Sequence, residues 1–327
     1  MKLVRMAAAG LATLLVLTLF PLPSFAQQWP ARPVRMVVGF PPGGGTDVLA
    51  RLVAGRLSQI WGQQVVVENR PGASATIASG VVAKAVPDGY TLSMGQLTPN
   101  AIAPVLMRDL PYDARKDLVP IVLVGTSPNM LVVNPGLPVH TVPELVALLG
   151  KEPHKHAYAS SGPGSLQHIA AEQFRSMAGV DIVHVPYKGS GQAIVDLVSG
   201  QVQLNFDSIP AVAQQVKAGK LRAIAVTAAK RAPGFPDVPA ISESPGFASY
   251  DLTTWWGLFA PAGVPEALVA KINRDTNTAL QDPTVRARFA ELSVEPGAGS
   301  PQQFAAYVAR EMEKYGRLVK ALDIKGE

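Results

Sequence analysis

The sequence predicts an α/β protein of two domains joined by a two-stranded hinge, and three observations lead to this prediction. Short apolar strands alternate with amphipathic helices, which is typical of a parallel sheet covered by helices on both faces. The alternation starts a second time near Ser127, which indicates a second α/β domain. The chain has 327 residues, 48% of them hydrophobic, so it is long enough to bury two cores.

The first domain begins with an alternating series of short elements. Its predicted strands are residues 34–39, 65–68, 91–94 and 118–124, and its predicted helices are residues 48–60 and 77–85. Asn69-Arg70-Pro71-Gly72 and Pro87-Asp88-Gly89 separate these elements as turns.

The second domain repeats the pattern. An apolar stretch at 130–133 precedes predicted strands at 156–159, 182–185, 203–206 and 221–226. The predicted helices are residues 142–149, with Thr141 as the cap, and residues 165–177, 193–198 and 210–218. A glycine is expected to end each helix, at Gly150, Gly179, Gly200 and Gly219.

The last part of the chain is expected to return to the first domain. The proline-rich residues 230–250 are irregular, residues 255–260 are a strand, and residues 265–280 and 301–322 are helices without strands of their own. The chain then crosses between domains near Gly125 and near Thr253. One lobe is therefore predicted at 27–126 and 254–327 and the other at 127–253, with a ligand cleft between them.

Residues 1–26 are predicted to be a cleavable signal peptide. Lys2 and Arg5 supply the positive start, residues 7–20 are apolar, and Ser24-Phe25-Ala26 provides small residues for cleavage. A membrane anchor is the alternative, but the apolar run is short for a span and is followed by prolines. We therefore expect an exported protein that is located in the periplasm.

Composition excludes several classes of function. Loss of Lys2 and Arg5 lowers the formal net charge from +5 to +3, and no basic run is present, so nucleic acid is not an expected partner. The chain has no cysteine, which excludes disulfides, zinc–thiolate sites and cysteine nucleophiles. We expect no cofactor and no metal site.

The glycine-rich stretch FPPGGGTD, residues 40–47, is the first candidate site. Pro41 and Pro42 stop the preceding strand, and the three glycines that follow allow close approach of a ligand to backbone N–H groups. Thr46 or Asp47 is suited to cap the next helix, whose free N–H groups and positive dipole end favour an anion. The GxxxxGK[ST] and GxGxxG patterns are absent, and no Lys or Arg lies in the loop, so a small carboxylate suits it better than a phosphate. A tight turn without any ligand is the alternative.

A second loop resembles the first. Ser160-Ser161-Gly162-Pro163-Gly164-Ser165 also follows a strand and opens a helix, and His168 lies one turn into that helix. The two helix starts, one from each domain, are able to close on one anionic ligand, although two unrelated turns would give the same pattern. A Ser165–His168 hydrolase is a weaker interpretation, because GxSxG is absent and no acidic residue is placed to orient the imidazole.

Other polar and aromatic residues have simpler interpretations. His154 and His156 lack a third metal ligand, so an exposed charged turn is expected there. Asp207 follows a strand and is expected to cap the next helix, with contact to the cleft as the alternative. Trp255 and Trp256 are expected in the core and hinge, with one of them near the cleft.

The chain as a whole resembles the solute-binding proteins of tripartite tricarboxylate transporters, also called Bug or TctC-type periplasmic receptors. The similarity covers nearly all of the chain after residue 28, in the family's order. The matching motifs are Trp29-Pro30-x-Arg32-Pro33, FPPGGGTD, VVVENRPGA (65–73), AKAVPDGYTL (83–92), LPYDARKDLVPIVLV (110–124), YASSGPGSLQH (158–168), VHVPYKGSGQA (183–193) and QVQLNFDSIP (201–210).

The resemblance implies a type II periplasmic-binding-protein fold of two Rossmann-like lobes. It implies a monomeric receptor, not an enzyme, that closes on a small organic acid and delivers it to membrane permease subunits. Backbone N–H groups and hydroxyls of both loops would hold the ligand, and Gln96 would tune specificity. The predicted ligand-binding residues are Phe40, Pro42, Gly43, Gly44, Thr46, Asp47, Gln96, Ser161, Gly164, Ser165, His168 and Asp207.

One stretch departs from the family pattern. Many members read RPGAGGNIG where residues 70–78 of this chain read RPGASATIA. Ser74 and Thr76 are expected to make this part of the cleft smaller or more polar. Dicarboxylates, tricarboxylates, amino acids and aromatic acids all remain candidate solutes. An envelope hydrolase and a sensory receptor that feeds a signalling protein remain the alternative functions.

Overall fold

A computed structural model describes residues 29–325, so the predicted signal peptide lies outside the described residues. The strands are β1 (Val34–Val38), β2 (Val65–Asn69), β3 (Thr91–Gln96), β4 (Leu118–Val133), β5 (Ala157–Ser160), β6 (Val183–Pro186), β7 (Leu204–Ser208), β8 (Arg222–Val226), β9 (Thr253–Pro261) and β10 (Glu295–Pro296). The helices are α1 (Gly45–Trp61), α2 (Thr76–Ala83), α3 (Ala103–Leu106), α4 (Val142–Lys151), α5 (Leu166–Ala178), α6 (Ser190–Ser199), α7 (Ile209–Lys217), α8 (Glu266–Gln281), α9 (Pro283–Glu291) and α10 (Pro301–Ala321).

The strands form a mixed sheet with two sections. In the first section β1 pairs in parallel with β2 and β3, and β9 then pairs antiparallel with β3 and with the first part of β4. In the second section β5 pairs in parallel with β6 and β7, while β7 and β8 pair antiparallel with the end of β4. The predicted α/β fold class is therefore confirmed.

Strand β4 connects the two sections. Its residues 118–128 pair with β9 and its residues 129–133 pair with β7 and β8. The sequence predicted two separate apolar stretches here, which was wrong: the chain stays extended through Gly125 and Pro128. The ladder register shifts near Pro120, where a bulge accommodates a residue that has no N–H to donate. Pro128 pairs with Thr253 of β9, so both predicted crossings lie in neighbouring strands.

Most helix positions agree with the predictions. Gly179 and Gly200 end α5 and α6 with left-handed φ angles of 64° and 82°. Gly150 lies inside α4 instead of after it, because the helix continues to Lys151. Helix α9 was not predicted, although Asp282 caps it by accepting hydrogen bonds from two backbone N–H groups.

The C-terminal helices rejoin the first section, as expected. Helix α8 packs against α1 and β4, and α10 packs against β4 and the segment 98–106. Phe304 of α10 contacts Trp255 and Phe259 of β9, which lie in the buried core. Among residues 29–325, no helix combines the length and hydrophobicity that a membrane span requires.

Candidate ligand-binding site

A small cavity of about 20 Å³ lies where loops from both sections of the sheet meet. The loops follow the carboxyl ends of β1, β3, β5 and β7, which is where ligands bind in open α/β sheets. The lining residues are Phe40, Gly44, Gly45, Thr46, Gln96, Asn129, Ser161, Leu166, Gln167, Ser190, Asp207 and Ser208.

Four helix N-termini converge on this cavity. Helix α1 contributes Gly44 to Thr46, α5 its first residues Leu166 and Gln167, α6 its first residue Ser190, and α7 its N-cap Ser208. No side chain caps α1, α6 or α7, so side chains do not occupy their first N–H groups. The described lining residues include no Lys, Arg or His. Positive partial charge in the cavity wall therefore comes from helix ends, which suits a small anion.

Asp207 organises the wall of the cavity. It has no exposed surface, and its Oδ1 accepts hydrogen bonds from Ser190 Oγ (2.9 Å), Gln167 Nε2 (3.2 Å) and the Ser208 N–H (2.8 Å). Its Oδ2 accepts one from Asn205 Nδ2 at 3.1 Å. Burial raises the pKa of this carboxyl group, while the hydrogen bonds oppose the shift. Asp207 thus lines the cavity and receives the Ser208 N–H, although it does not itself occupy the N-cap position of α7.

The two tryptophans of β9 have different surroundings. Trp256 Nε1 donates a hydrogen bond to Thr46 Oγ1 at 3.0 Å, and this pair is buried beside the cavity. Trp255 packs instead against Phe304 and Tyr307. One tryptophan is therefore near the site and the other is in the core, as the sequence suggested.

Half of the predicted site residues do not line the cavity. These are Pro42, Gly43, Asp47, Gly164, Ser165 and His168. Asp47 accepts hydrogen bonds from the Gly43 N–H and from the side chains of Arg51 and Asn69, which hold the first loop. In the second loop, His168 Nδ1 accepts from the Gly164 N–H at 3.1 Å. Ligand contact by these six residues stays a prediction.

The structure does not assemble a nucleophile–base pair from Ser165 and His168. Ser165 caps α5, because its Oγ accepts a hydrogen bond from the His168 backbone N–H at 3.3 Å. The imidazole Nδ1 is occupied by the Gly164 N–H. The hydroxyl therefore caps the helix in this arrangement.

Other lining residues were not predicted from the sequence. They are Gly45, Asn129, Leu166, Gln167, Ser190 and Ser208. Ser190 and Ser208 each follow a predicted strand and open a helix, so the same pattern that selected the two loops was available for them. Asn129 had no such signal, since it lies inside β4 and enters the wall through tertiary packing.

His154 and His156 differ from the expected exposed turn. His154 is exposed, but His156 is only 7% exposed and its Nε2 lies 2.7 Å from Glu152 Oε2. Within the described part of the chain, no group of three or more His, Cys, Asp or Glu side chains is arranged to hold a metal ion.

Two stacked histidines, His168 and His184, pack next to the second loop. The rings of His168 and His184 lie 4.3 Å apart at an angle of 6°, and Tyr158 stacks on His184 at 4.8 Å. His184 Nε2 lies 2.6 Å from Ser160 Oγ, and the Gly162 N–H donates to that hydroxyl. Burial lowers the pKa of His184 to about 4, and repulsion by His168 adds to the shift; burial also lowers the pKa of His168, which Glu172 partly opposes.

We expect the stability of the protein to fall as the pH decreases from about 6.5 to about 4. The unfolded chain takes up a proton on His184 near its ordinary pKa of 6.5, whereas the folded protein resists protonation until about pH 4. Melting temperatures measured across this range should decline less steeply for His184→Gln, because one of the resisted protonations is removed. His140→Gln, at an exposed loop position, is the control. If the melting temperature of His184→Gln falls with decreasing pH as steeply as that of the wild type, the prediction is contradicted.

Comparison with known proteins identifies the family. A family model described as the tripartite tricarboxylate transporter family receptor matches residues 49–324. The protein BugT of Bordetella pertussis is 38% identical over 304 residues, which cover 93% of this chain and 93% of BugT. This chain belongs to the tripartite tricarboxylate transporter receptor family.

Solved structures agree with the receptor fold. The structure of R. palustris Rpa4515 with adipate is 37% identical, covers 91% of this receptor and 99% of its own chain, and has a TM-score of 0.89. MatC from Rhodopseudomonas palustris, with bound malate, is 32% identical, covers 89% of this receptor and 100% of its own chain, and has a TM-score of 0.83. The family and the two-lobe type II fold predicted from the sequence are confirmed.

Proposed function

We propose that the protein is a periplasmic receptor that captures a small organic carboxylate between two lobes and delivers it to a tripartite tricarboxylate-type transporter. The observation that carries this proposal is the convergence of four helix N-termini, from both sections of the sheet, on one cavity lined without a basic side chain. Backbone N–H groups from both sides would share the carboxylate, so ligand binding would favour the closed arrangement.

We assign one lobe to residues 27–126 and 254–327 and the other to 127–253, with β4 and β9 as the hinge. Close approaches across the cavity support a closed state. A methyl group on Gly45 would lie 2.5 Å from Ser208 Oγ, and one on Gly189 would lie 2.5 Å from Pro41 Cδ. Such contacts leave no room for a side chain, so these glycines allow the lobes to meet.

Two further observations support the ligand class. Rpa4515 and MatC, which share the family fold, are described with adipate and malate. A second cavity adjoins Ser161 and is bordered by Met107, Leu110, Tyr187 and Lys188. This second cavity would accommodate the part of a ligand that extends beyond its first carboxylate. We infer that the lining residues, and the remaining predicted residues of the two loops, form the ligand site.

The remaining assignments follow from the family and the sequence. We propose that residues 1–26 direct export and are removed, that the receptor acts as a monomer without a cofactor or catalytic activity, and that permease subunits accept its solute. A receptor that feeds a signalling protein would use the same closure. Cross-linking in cells, followed by identification of the captured membrane protein, would distinguish a permease from a sensor.

We expect a carboxylate to raise the melting temperature of ligand-stripped protein in a concentration-dependent manner. The panel contains mono-, di- and tricarboxylates, aromatic acids and amino acids. At a hundred times its Kd, a ligand that binds only the folded state adds about 2.7 kcal/mol of stability. This corresponds to a rise of roughly 4 °C for a chain of this size.

The neutral amide of each active acid is the matched control. It keeps the size of the ligand but lacks the negative charge, so it should give little or no shift if helix ends provide the recognition. Mass spectrometry of the mixture should recover the acid unchanged. Absence of a shift with every acid, or turnover of an ester or amide, would refute the receptor proposal.

A further inference from the structure

The turn that carries Ser74 has an unusual backbone. Ala73, Ser74 and Ala75 have φ angles of 45°, 51° and 73°, so three successive residues with side chains occupy the left-handed region. This region is costly for residues other than glycine, and such strain persists only where surrounding contacts hold it. The turn belongs to the first section of the sheet, between β2 and α2.

The Ser74 hydroxyl reaches across the cleft. Its Oγ donates a hydrogen bond to the Pro163 carbonyl oxygen at 2.9 Å, and Pro163 belongs to the second loop, which follows β5. Ser74 is 8% exposed, so water competes little for this bond. Gly162 makes room for it, because a methyl group there would lie 3.0 Å from Ser74 Oγ. Thr76, by contrast, donates within its own turn, to Ala73 O at 2.8 Å.

Neither partner of this hydrogen bond lines the inner cavity, although both border the second cavity. The bond joins the two lobes directly, so it forms when they close and does not need a ligand to bridge it. We infer that Ser74 is a latch that stabilises the closed form of the ligand-free receptor. This inference rests on the two-lobe closure of the proposed function.

The latch makes a specific prediction about the ligand-free protein. Part of the stripped wild-type population should be closed, and Ser74→Ala should lower the ratio of closed to open molecules roughly 2- to 10-fold, as expected for loss of one buried hydrogen bond. Ser74→Gly should lower that ratio similarly. It should also keep or raise the melting temperature, because glycine adopts the left-handed backbone without strain.

The chain has no cysteine, which makes the measurement direct. Lys84→Cys and Lys220→Cys provide two exposed sites for spin labels, one in each lobe. The distance between the labels is measured by pulsed electron paramagnetic resonance. Ser199→Ala is the matched control, because the Ser199 hydroxyl donates to Asp196 O within one lobe.

Three outcomes would decide the inference. A smaller closed population in both Ser74 variants, with the Ser199 variant like the wild type, supports the latch. Distance distributions that match the wild type in both Ser74 variants overturn it. An equal fall of the melting temperature in both Ser74 variants, with the closed population unchanged, assigns the residue to folding alone and also overturns it. No ligand is used, so failure here leaves the thermal-shift result for carboxylates unaffected.

Discussion

Gly45→Ala is expected to weaken ligand binding by roughly 5- to 150-fold, the effect of about 1 to 3 kcal/mol of overpacking. Gly45 is the first residue of α1, and a methyl group there would lie 2.5 Å from Ser208 Oγ and 3.4 Å from Pro210 Cβ. Those atoms belong to the start of α7, which follows β7 in the second section of the sheet. The methyl group would hold the two helix ends apart, so their N–H groups would no longer reach one carboxylate together. Calorimetry with the acid that gives the largest thermal shift measures the loss.

The same substitution should not destabilise the ligand-free protein. Open lobes relieve the contact, and alanine favours a helix over glycine by up to about 1 kcal/mol. Gly55→Ala is the control within the same helix, because a methyl group at Gly55 meets no atom within 4 Å. It should raise the melting temperature slightly and leave the affinity unchanged. Equal affinities for the Gly45 and Gly55 variants would show that the ligand is not held between these helix ends.

The sequence predicts the elements of this fold better than it predicts how they pair. Alternating apolar runs and helix-ending glycines locate most strands and helices, because periodicity and backbone preference are local properties. The continuity of β4 from Leu118 to Val133 is not local: it depends on β9 pairing with one part and β7 with the other. The antiparallel direction of β9 is set by the same tertiary packing.

In the candidate site, too, the sequence predicts residues that lie in a local pattern and misses those that tertiary packing brings in. The loops with Gly44 and Ser161 were recognisable, because successive glycines before a helix form a visible pattern. Gln167 and Asn129 line the cavity only because α5 and β4 turn one face toward it, and isolated amides in a helix or strand carry no such pattern. Asp207 lay between two interpretations, and the structure combines elements of both.

Asp207→Ala is expected to be the most destabilising substitution in the site. It would leave the Ser190 hydroxyl, the Gln167 and Asn205 amides and the Ser208 N–H without their shared acceptor in a fully buried position. Each unsatisfied donor is costly, so we expect a loss of about 3 kcal/mol or more. The melting temperature of the ligand-free protein at pH 7, followed by circular dichroism, should fall by roughly 5 °C or more. Asp237→Ala, at an exposed position, should leave it unchanged.

Asp207→Asn separates the hydrogen bonds from the charge. Burial raises the pKa of Asp207, so the folded protein holds a proton there that the unfolded chain releases near its ordinary pKa of 3.8. The charge therefore reduces stability as the pH rises through this window, and the reduction persists at pH 7. Asparagine removes that charge and keeps one acceptor oxygen, but its amide N–H groups face donors. We expect a stability between those of wild type and Asp207→Ala, with a smaller decrease as the pH rises above about 4. If Asp207→Ala and Asp207→Asn both have the melting temperature of the wild type, the four donors do not need this carboxylate as their acceptor. Its role in shaping the cavity wall is then refuted.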